Sequence, residues 1–141
     1  MGVPAELRYS PDHEWIRLDG RTATIGITEY AQDALGDIVF VQMPKLGTLV
    51  VAGATVTEVE STKSVSDIYA PVSGTLSGFN AELEGSPDLI NSDPYGRGWL
   101  CTIELAAESN VSNVSNETDG LGGSGYDQLL DAAAYDALIG G

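Results

Sequence analysis

The stretch Glu58-Val59-Glu60-Ser61-Thr62-Lys63-Ser64-Val65-Ser66-Asp67-Ile68-Tyr69-Ala70-Pro71-Val72-Ser73-Gly74 reads as two β-strands folded back on a polar turn. Apolar and polar side chains mix in the β-runs Ala54 to Glu60 and Val65 to Tyr69, as expected of half-buried strands. Ser61, Thr62 and Ser64 are small and polar, so the turn lifts the ε-amine of Lys63 clear of bulky neighbours. The other lysine, Lys45, lies in Met43-Pro44-Lys45-Leu46-Gly47, where a solvated surface charge explains it.

Outward from this hairpin the pattern stays β. Glu14 to Leu18 and Arg21 to Ile27 are strand-like and joined by Asp19-Gly20, a dipeptide suited to the positive φ of a tight turn. Thr28 can cap a short helix with Tyr30, Ala31, Ala34 and Leu35 on one face, stopped by a left-handed Gly36. Asp37 to Met43 alternates as a strand and ends at Pro44. Further β-runs are Thr48 to Val51, Gly74 to Phe79 and Trp99 to Leu105, punctuated by Gly47, Gly53, Pro71, Gly74 and Gly85. This rhythm predicts a mostly β sandwich or small barrel. Glu82 to Gly98 is dense in turn residues and reads as a long loop.

Three segments follow: a β-domain over 1–105, a Ser/Asn/Gly-rich acidic linker over 106–125, and a C-terminal helix over 126–141 docking on the core. The helix stripe is Tyr126, Leu129, Leu130, Ala133, Ala134, Ala137 and Leu138.

Of 141 residues, 21 are acidic and 6 basic, a formal charge of −15. The β-domain holds 15 of the acids and all six bases, a net −9. So few bases cannot neutralise a row of phosphates, which excludes nucleic acid, and the same sign argument excludes an anionic membrane surface. The N-terminus Met1-Gly2-Val3-Pro4 lacks the basic and apolar regions of a signal peptide. A cytoplasmic location is expected, or the mitochondrial matrix where a presequence has been removed. Net acidity fits either steering toward basic docking patches, with an on-rate that falls as salt rises, or a charge that keeps the protein soluble or adapts it to salt.

Cys101 is the only cysteine and His13 the only histidine, so no internal disulfide or clustered Cys/His zinc site is possible. Cys101 reads as a buried, inert thiol. No nucleophile–base motif, metal set or phosphate-binding glycine loop is present, so an independent enzyme is not expected.

Several motifs together resemble the H-protein family of the glycine cleavage system, a family of lipoyl carriers. They are Tyr9-Ser10-Pro11-Asp12-His13-Glu14-Trp15, Thr24-Ile25-Gly26-Ile27-Thr28, Tyr30 to Val41, Glu60-Ser61-Thr62-Lys63-Ser64 with Ser66-Asp67, and Leu89 to Leu100. The family's usual Glu-Ser-Val-Lys-Ala stands here with Thr62 and Ser64. Thr keeps the β-branched shape of Val and Ser is barely larger than Ala.

The resemblance implies a lipoyl/biotinyl-like barrel-sandwich hybrid with a short helix in the N-terminal half and a C-terminal helix. It implies lipoic acid as an amide on Lys63, within a lipoylation turn recognised through Glu60, Ser61, Thr62 and Ser64. It further implies a monomeric, non-catalytic carrier of the aminomethyl group. The expected partners are a pyridoxal-phosphate glycine decarboxylase, a tetrahydrofolate-dependent aminomethyltransferase, lipoamide dehydrogenase and a lipoyl-attaching enzyme. Asp12, Glu14 and Asp67 match positions held to attract the cationic cargo beside a cleft that shelters it from water.

Two related carriers and one different class compete. Biotinyl carriers flank their lysine with Met. Lipoyl domains of 2-oxo acid dehydrogenases have an Asp-Lys-Ala core on a shorter chain, without the Asp12-His13-Glu14-Trp15 and Asp93-Pro94-Tyr95-Gly96 blocks. An acidic binding module with no prosthetic group is the third reading, separable by intact mass.

Overall fold

The computed structural model describes residues 4–42, 44–105 and 129–140. Its first hairpin is β2 (Glu14–Asp19) and β3 (Thr22–Ile27), paired from Glu14↔Ile27 to Asp19↔Thr22. The turn residues are therefore Gly20 and Arg21, one position later than the Asp19-Gly20 expected from sequence. Gly20 takes φ 66 and Arg21 is not among the positive-φ residues, the type II′ arrangement with glycine first.

Around this hairpin, six strands form one antiparallel sheet in the order β1-β2-β3-β9-β8-β5. Its other members are β1 (Arg8–Tyr9), β5 (Leu49–Val50), β8 (Gly74–Phe79) and β9 (Cys101–Leu105). A second sheet has the order β4-β6-β7, from β4 (Ile38–Val41), β6 (Thr55–Ser61) and β7 (Val65–Tyr69). The main core joins the two sheets: Ile16, Ile25, Ile27 and Ile103 belong to the same buried cluster as Val59 and Ile68. The mostly β, barrel-sandwich expectation holds.

In β4 the expected alternation fails. A register shift between Ile38 and Phe40 leaves Ile38 and Val41 buried with both Val39 and Phe40 exposed, as a bulge does when it inserts one residue. The stretch from Glu82 to Gly98, expected as loop, contains α2 (Glu82–Gly85) and α3 (Leu89–Ser92). Each is about one turn long and drives one side chain, Leu83 or Ile90, into the core.

A second cluster, Leu7, Tyr9, Trp15 and Tyr135, holds the C-terminal helix α4 (Ala132–Leu138). The expected linker 106–125 and the first residues of the expected helix, 126–128, lie outside the described residues. The visible part corrects the expected stripe. Leu130 forms a β-bridge with Tyr9, and Asp131 caps the helix by accepting from Ala134 N at 2.9 Å. Within the helix Tyr135 is buried, while Ala133, Ala134, Ala137 and Leu138 are exposed. One large aromatic offers far more area to bury than several alanines, so it sets the docked face.

Candidate functional site

The β6–β7 hairpin has no glycine at its tip, and neither Thr62 nor Lys63 adopts positive φ. Order comes from a side chain. Ser61 Oγ accepts from Lys63 N and Ser64 N, both at 3.1 Å, while Ser61 N donates to Ser64 O at 2.8 Å. This is a serine-stapled turn. Thr62 N also donates to Asp37 O at 3.0 Å, tying the tip to the segment just after the first helix.

Lys63 is exposed at this tip. Its stem runs over Gly36, where a Cβ would stand 3.1 Å from Lys63 Cε. Gly36 has φ 89 and ψ −159, a glycine-only region rather than the left-handed helical basin expected. Any side chain at 36 would be strained and would crowd the lysine stem.

Gly36 follows α1 (Glu29–Leu35), which buries none of its residues. Polar contacts hold it at both ends. At the start, Thr28 Oγ1 accepts from Ala31 N and Tyr95 Oη accepts from Glu29 N. At the other end Asn91 does three jobs. Its Oδ1 accepts from Ile38 N at 2.9 Å, and its Nδ2 donates to Gln32 Oε1 at 2.8 Å and Gly36 O at 2.9 Å.

So held, α1 walls a cleft of roughly 170 Å³ lined by Asp12, His13, Ile27, Tyr30, Ala31, Ala34, Leu35, Ser66 and Ile68. The lining is largely apolar. An accessible primary amine beside an apolar cleft suits an acyl arm joined through an amide: the amine is free to react and the arm has somewhere dry to lie.

The three carboxylates singled out from sequence sit in different settings. Asp12 is exposed and lines the cleft. Asp67 is exposed on β7, whose Ser66 and Ile68 line the cleft, so alternation turns Asp67 toward the other face. Glu14 is 1% exposed and does not line the cleft. Its Oε1 accepts from Ser10 Oγ at 3.0 Å and its Oε2 from Tyr69 N at 2.8 Å, joining β2 to the end of β7. Burial pushes the Glu14 carboxyl up to about 8, with Asp12 adding in the same direction and the two hydrogen bonds opposing.

Of the turn residues, Ser61 is the staple, Glu60 is half-buried opposite Val65, and Thr62 and Ser64 are exposed. Cys101 is buried as expected, its thiol pushed up to about 12 chiefly by burial. Among the described residues no group of His, Cys, Asp and Glu could hold a metal.

Sequence reading missed Tyr135, whose hydroxyl lies 2.8 Å from His13 Nδ1 across 122 positions. It also missed the role of Asn91. A lone Asn in a turn-rich stretch gives no sign that it closes a helix end 55 to 59 positions away.

Comparison with known proteins bears on what such a site serves. Residues 7–121 match the family described as Glycine cleavage H-protein. A glycine cleavage system H protein of Mycobacterium bovis (strain BCG / Pasteur 1173P2) is 53% identical over 134 residues, 94% of this chain and 93% of the relative. One from Mycobacterium avium (strain 104) is 49% identical over the same span. The crystal structure of a glycine cleavage system H protein from Mycobacterium marinum superposes with TM-score 0.79 at 38% identity, covering 98% of this chain and 99% of the other. Matched by the family model over residues 7–121 and 53% identical to a relative along nearly its full length, this chain belongs to the glycine cleavage system H-protein family.

Proposed function

We propose that this protein is a lipoyl carrier, with lipoic acid attached as an amide to Lys63. The observation that carries the reading is the exposed Lys63 amine on a stapled tip, its stem lying at the Gly36 end of the α1 cleft. When bound, the lipoyl group supplies a dithiolane that takes the methylamine unit of glycine from one partner and yields it to another.

The chain's own part is to present, shelter and release. Ser61 orders the backbone around Lys63, so the attaching enzyme meets a preformed turn; Glu60, Thr62 and Ser64 are the side chains it reads there. Ile27, Ala31, Ala34, Leu35 and Ile68 give the arm an apolar bed that limits water. Asp12, on the cleft lining, attracts a cationic amine. Glu14 supports the cleft floor from behind by bridging Ser10 and Tyr69, and Asp67 meets the cargo when the arm lies on the hairpin's outer side.

In this reading the partners are a pyridoxal-phosphate glycine decarboxylase, a tetrahydrofolate-dependent aminomethyltransferase and lipoamide dehydrogenase. The carrier has no catalytic step of its own and works as a cytoplasmic monomer. Intact mass of the protein purified from cells that make lipoate tests the attachment. The expected result is an increase of one lipoyl group that is kept in Lys45→Arg and lost in Lys63→Arg. Persistence of the increment in Lys63→Arg would sink the assignment.

A further inference from the structure

Behind the cleft, the Tyr135 hydroxyl stands 2.8 Å from both His13 Nδ1 and Thr28 Oγ1. Tyr135 and Thr28 are fully buried. Counting protons gives this chain a direction. Thr28 Oγ1 already accepts from Ala31 N, and among the described residues its own proton has one acceptor, Tyr135 Oη. The tyrosine proton then goes to His13 Nδ1. The opposite order would leave the buried Thr28 hydroxyl proton without an acceptor. Nδ1 is therefore an acceptor, and the neutral ring carries its proton on Nε2.

His13 is held firmly in this pose. It is the sole positive-φ residue other than glycine among those described, at φ 71, a conformation that persists where surrounding contacts impose it. Its ring packs on Tyr30 with centroids 4.7 Å apart, and both rings line the cleft. The titratable groups around it are Asp12 on its own loop, Tyr30 on α1 and Tyr135 on α4. Burial lowers the His13 pKa against the opposing effect of Asp12, which favours the neutral ring. Nε2 has no hydrogen-bond partner among the described residues.

Lys63 meets Gly36, just beyond the last turn of α1, whereas His13 and Tyr30 stand at the first turn. The eight residue steps from Thr28 to Gly36 span about 12 Å at 1.5 Å per residue. An arm rooted at Lys63 and laid along Leu35, Ala34 and Ala31 brings its far end to the imidazole.

We propose that His13 Nε2–H donates a hydrogen bond to the sulfur end of the lipoyl arm, and that Tyr135 is the positioning residue that holds the ring in this tautomer. The C-terminal helix thereby belongs to the binding machinery of the cleft. This rests on the attachment at Lys63 proposed above.

Imidazole ¹⁵N NMR of the full chain, with and without lipoylation, tests it. In the unlipoylated protein the Nε2–H tautomer should dominate, and an Nδ1–H ring would overturn the proposal without any variant. Tyr135→Phe should reduce the tautomer preference roughly tenfold, the factor one net hydrogen bond supplies. On lipoylation and reduction, the His13 Nε2 resonance should move and its proton should exchange with water roughly tenfold more slowly. Lys63→Arg should show neither change. His13→Asn, which tolerates positive φ, should leave the arm's shifts at Ala34 and Leu35 intact while the dithiol becomes more reactive to thiol reagents. If lipoylation shifts the Ala34 and Leu35 methyls but leaves Nε2 unchanged, the His13 contact is wrong and the cleft reading survives. If no cleft residue responds although Lys63 is lipoylated, the cleft reading falls and the His13 contact with it.

Discussion

The β2–β3 and β6–β7 hairpins share a topology and are built differently. The first pairs six residues against six without interruption and is buried on both faces at its Glu14–Ile16 end, with Trp15 and Ile16 each 0% exposed. Its turn needs only a backbone that matches strand twist, which Gly20 provides. The second has a register shift between Thr55 and Thr57 and ends in exposed Thr62, Lys63 and Ser64. No core side chain reaches its tip, so Ser61 supplies there the order that packing supplies in the first hairpin. A turn that must present a reactive amine is held by hydrogen bonds from below, and its upper surface stays open to a partner.

The largest expected effect breaks the first hairpin's packing. Trp15 is fully buried, bonds Pro94 O through Nε1 at 2.8 Å, and lies so close to Gly26 that a Cβ there would be 2.5 Å from the indole. Trp15→Ala should cost about 3–5 kcal/mol in urea denaturation.

Next comes the link between the two hairpins. The folded pKa of Glu14, about 8, lies above the ordinary 4.5, so the folded state binds the proton more tightly than the unfolded chain. That stability is fully present below the unfolded pKa and is lost as pH rises through 8. Between pH 5 and 9 wild type should lose on the order of 3 kcal/mol relative to Glu14→Gln, measured as parallel denaturation series; equal slopes would show that the carboxyl titrates normally.

Smaller effects separate the two turns. Gly20→Ala meets nothing within 4 Å but keeps φ 66, so it should cost about 1–2 kcal/mol of global stability. Ser61→Ala should cost under about 1 kcal/mol globally, since water can reach the freed amides. It should nevertheless speed amide exchange at Lys63 and Ser64 and slow enzymatic lipoylation. A Ser61→Ala protein lipoylated at the wild-type rate would show that the staple is not what the attaching enzyme needs.

Local chemistry was legible in the sequence wherever one residue decides the outcome. Thr28 caps α1, Gly36 ends it, and Lys63 stands on the turn between two strands. What escaped was decided by geometry between distant segments. The β4 bulge depends on how β6 lies beside it. Leu130 leaves the helix because Tyr9 offers it a strand partner, and the Tyr135 hydroxyl has a role only once His13 and Thr28 converge on it. The carboxylates Asp12, Glu14 and Asp67 look equivalent as letters; burial makes Glu14 a brace, and strand alternation sends Asp67 away from Ser66.

The lack of any buried residue in α1 gives the cleft wall a stability scale of its own. A helix of 7 residues is too short to persist alone in water. It stands because Thr28, Tyr95 and Asn91 hold its ends and Ala31 and Leu35 pack partly against the main core, so lifting it away costs a few hydrogen bonds and the contacts of two half-buried side chains. Its amides should therefore exchange with solvent at an opening free energy well below that of β2, β3 or β9. Because no strand of either sheet pairs with α1, such an opening would leave the pairing of both sheets intact.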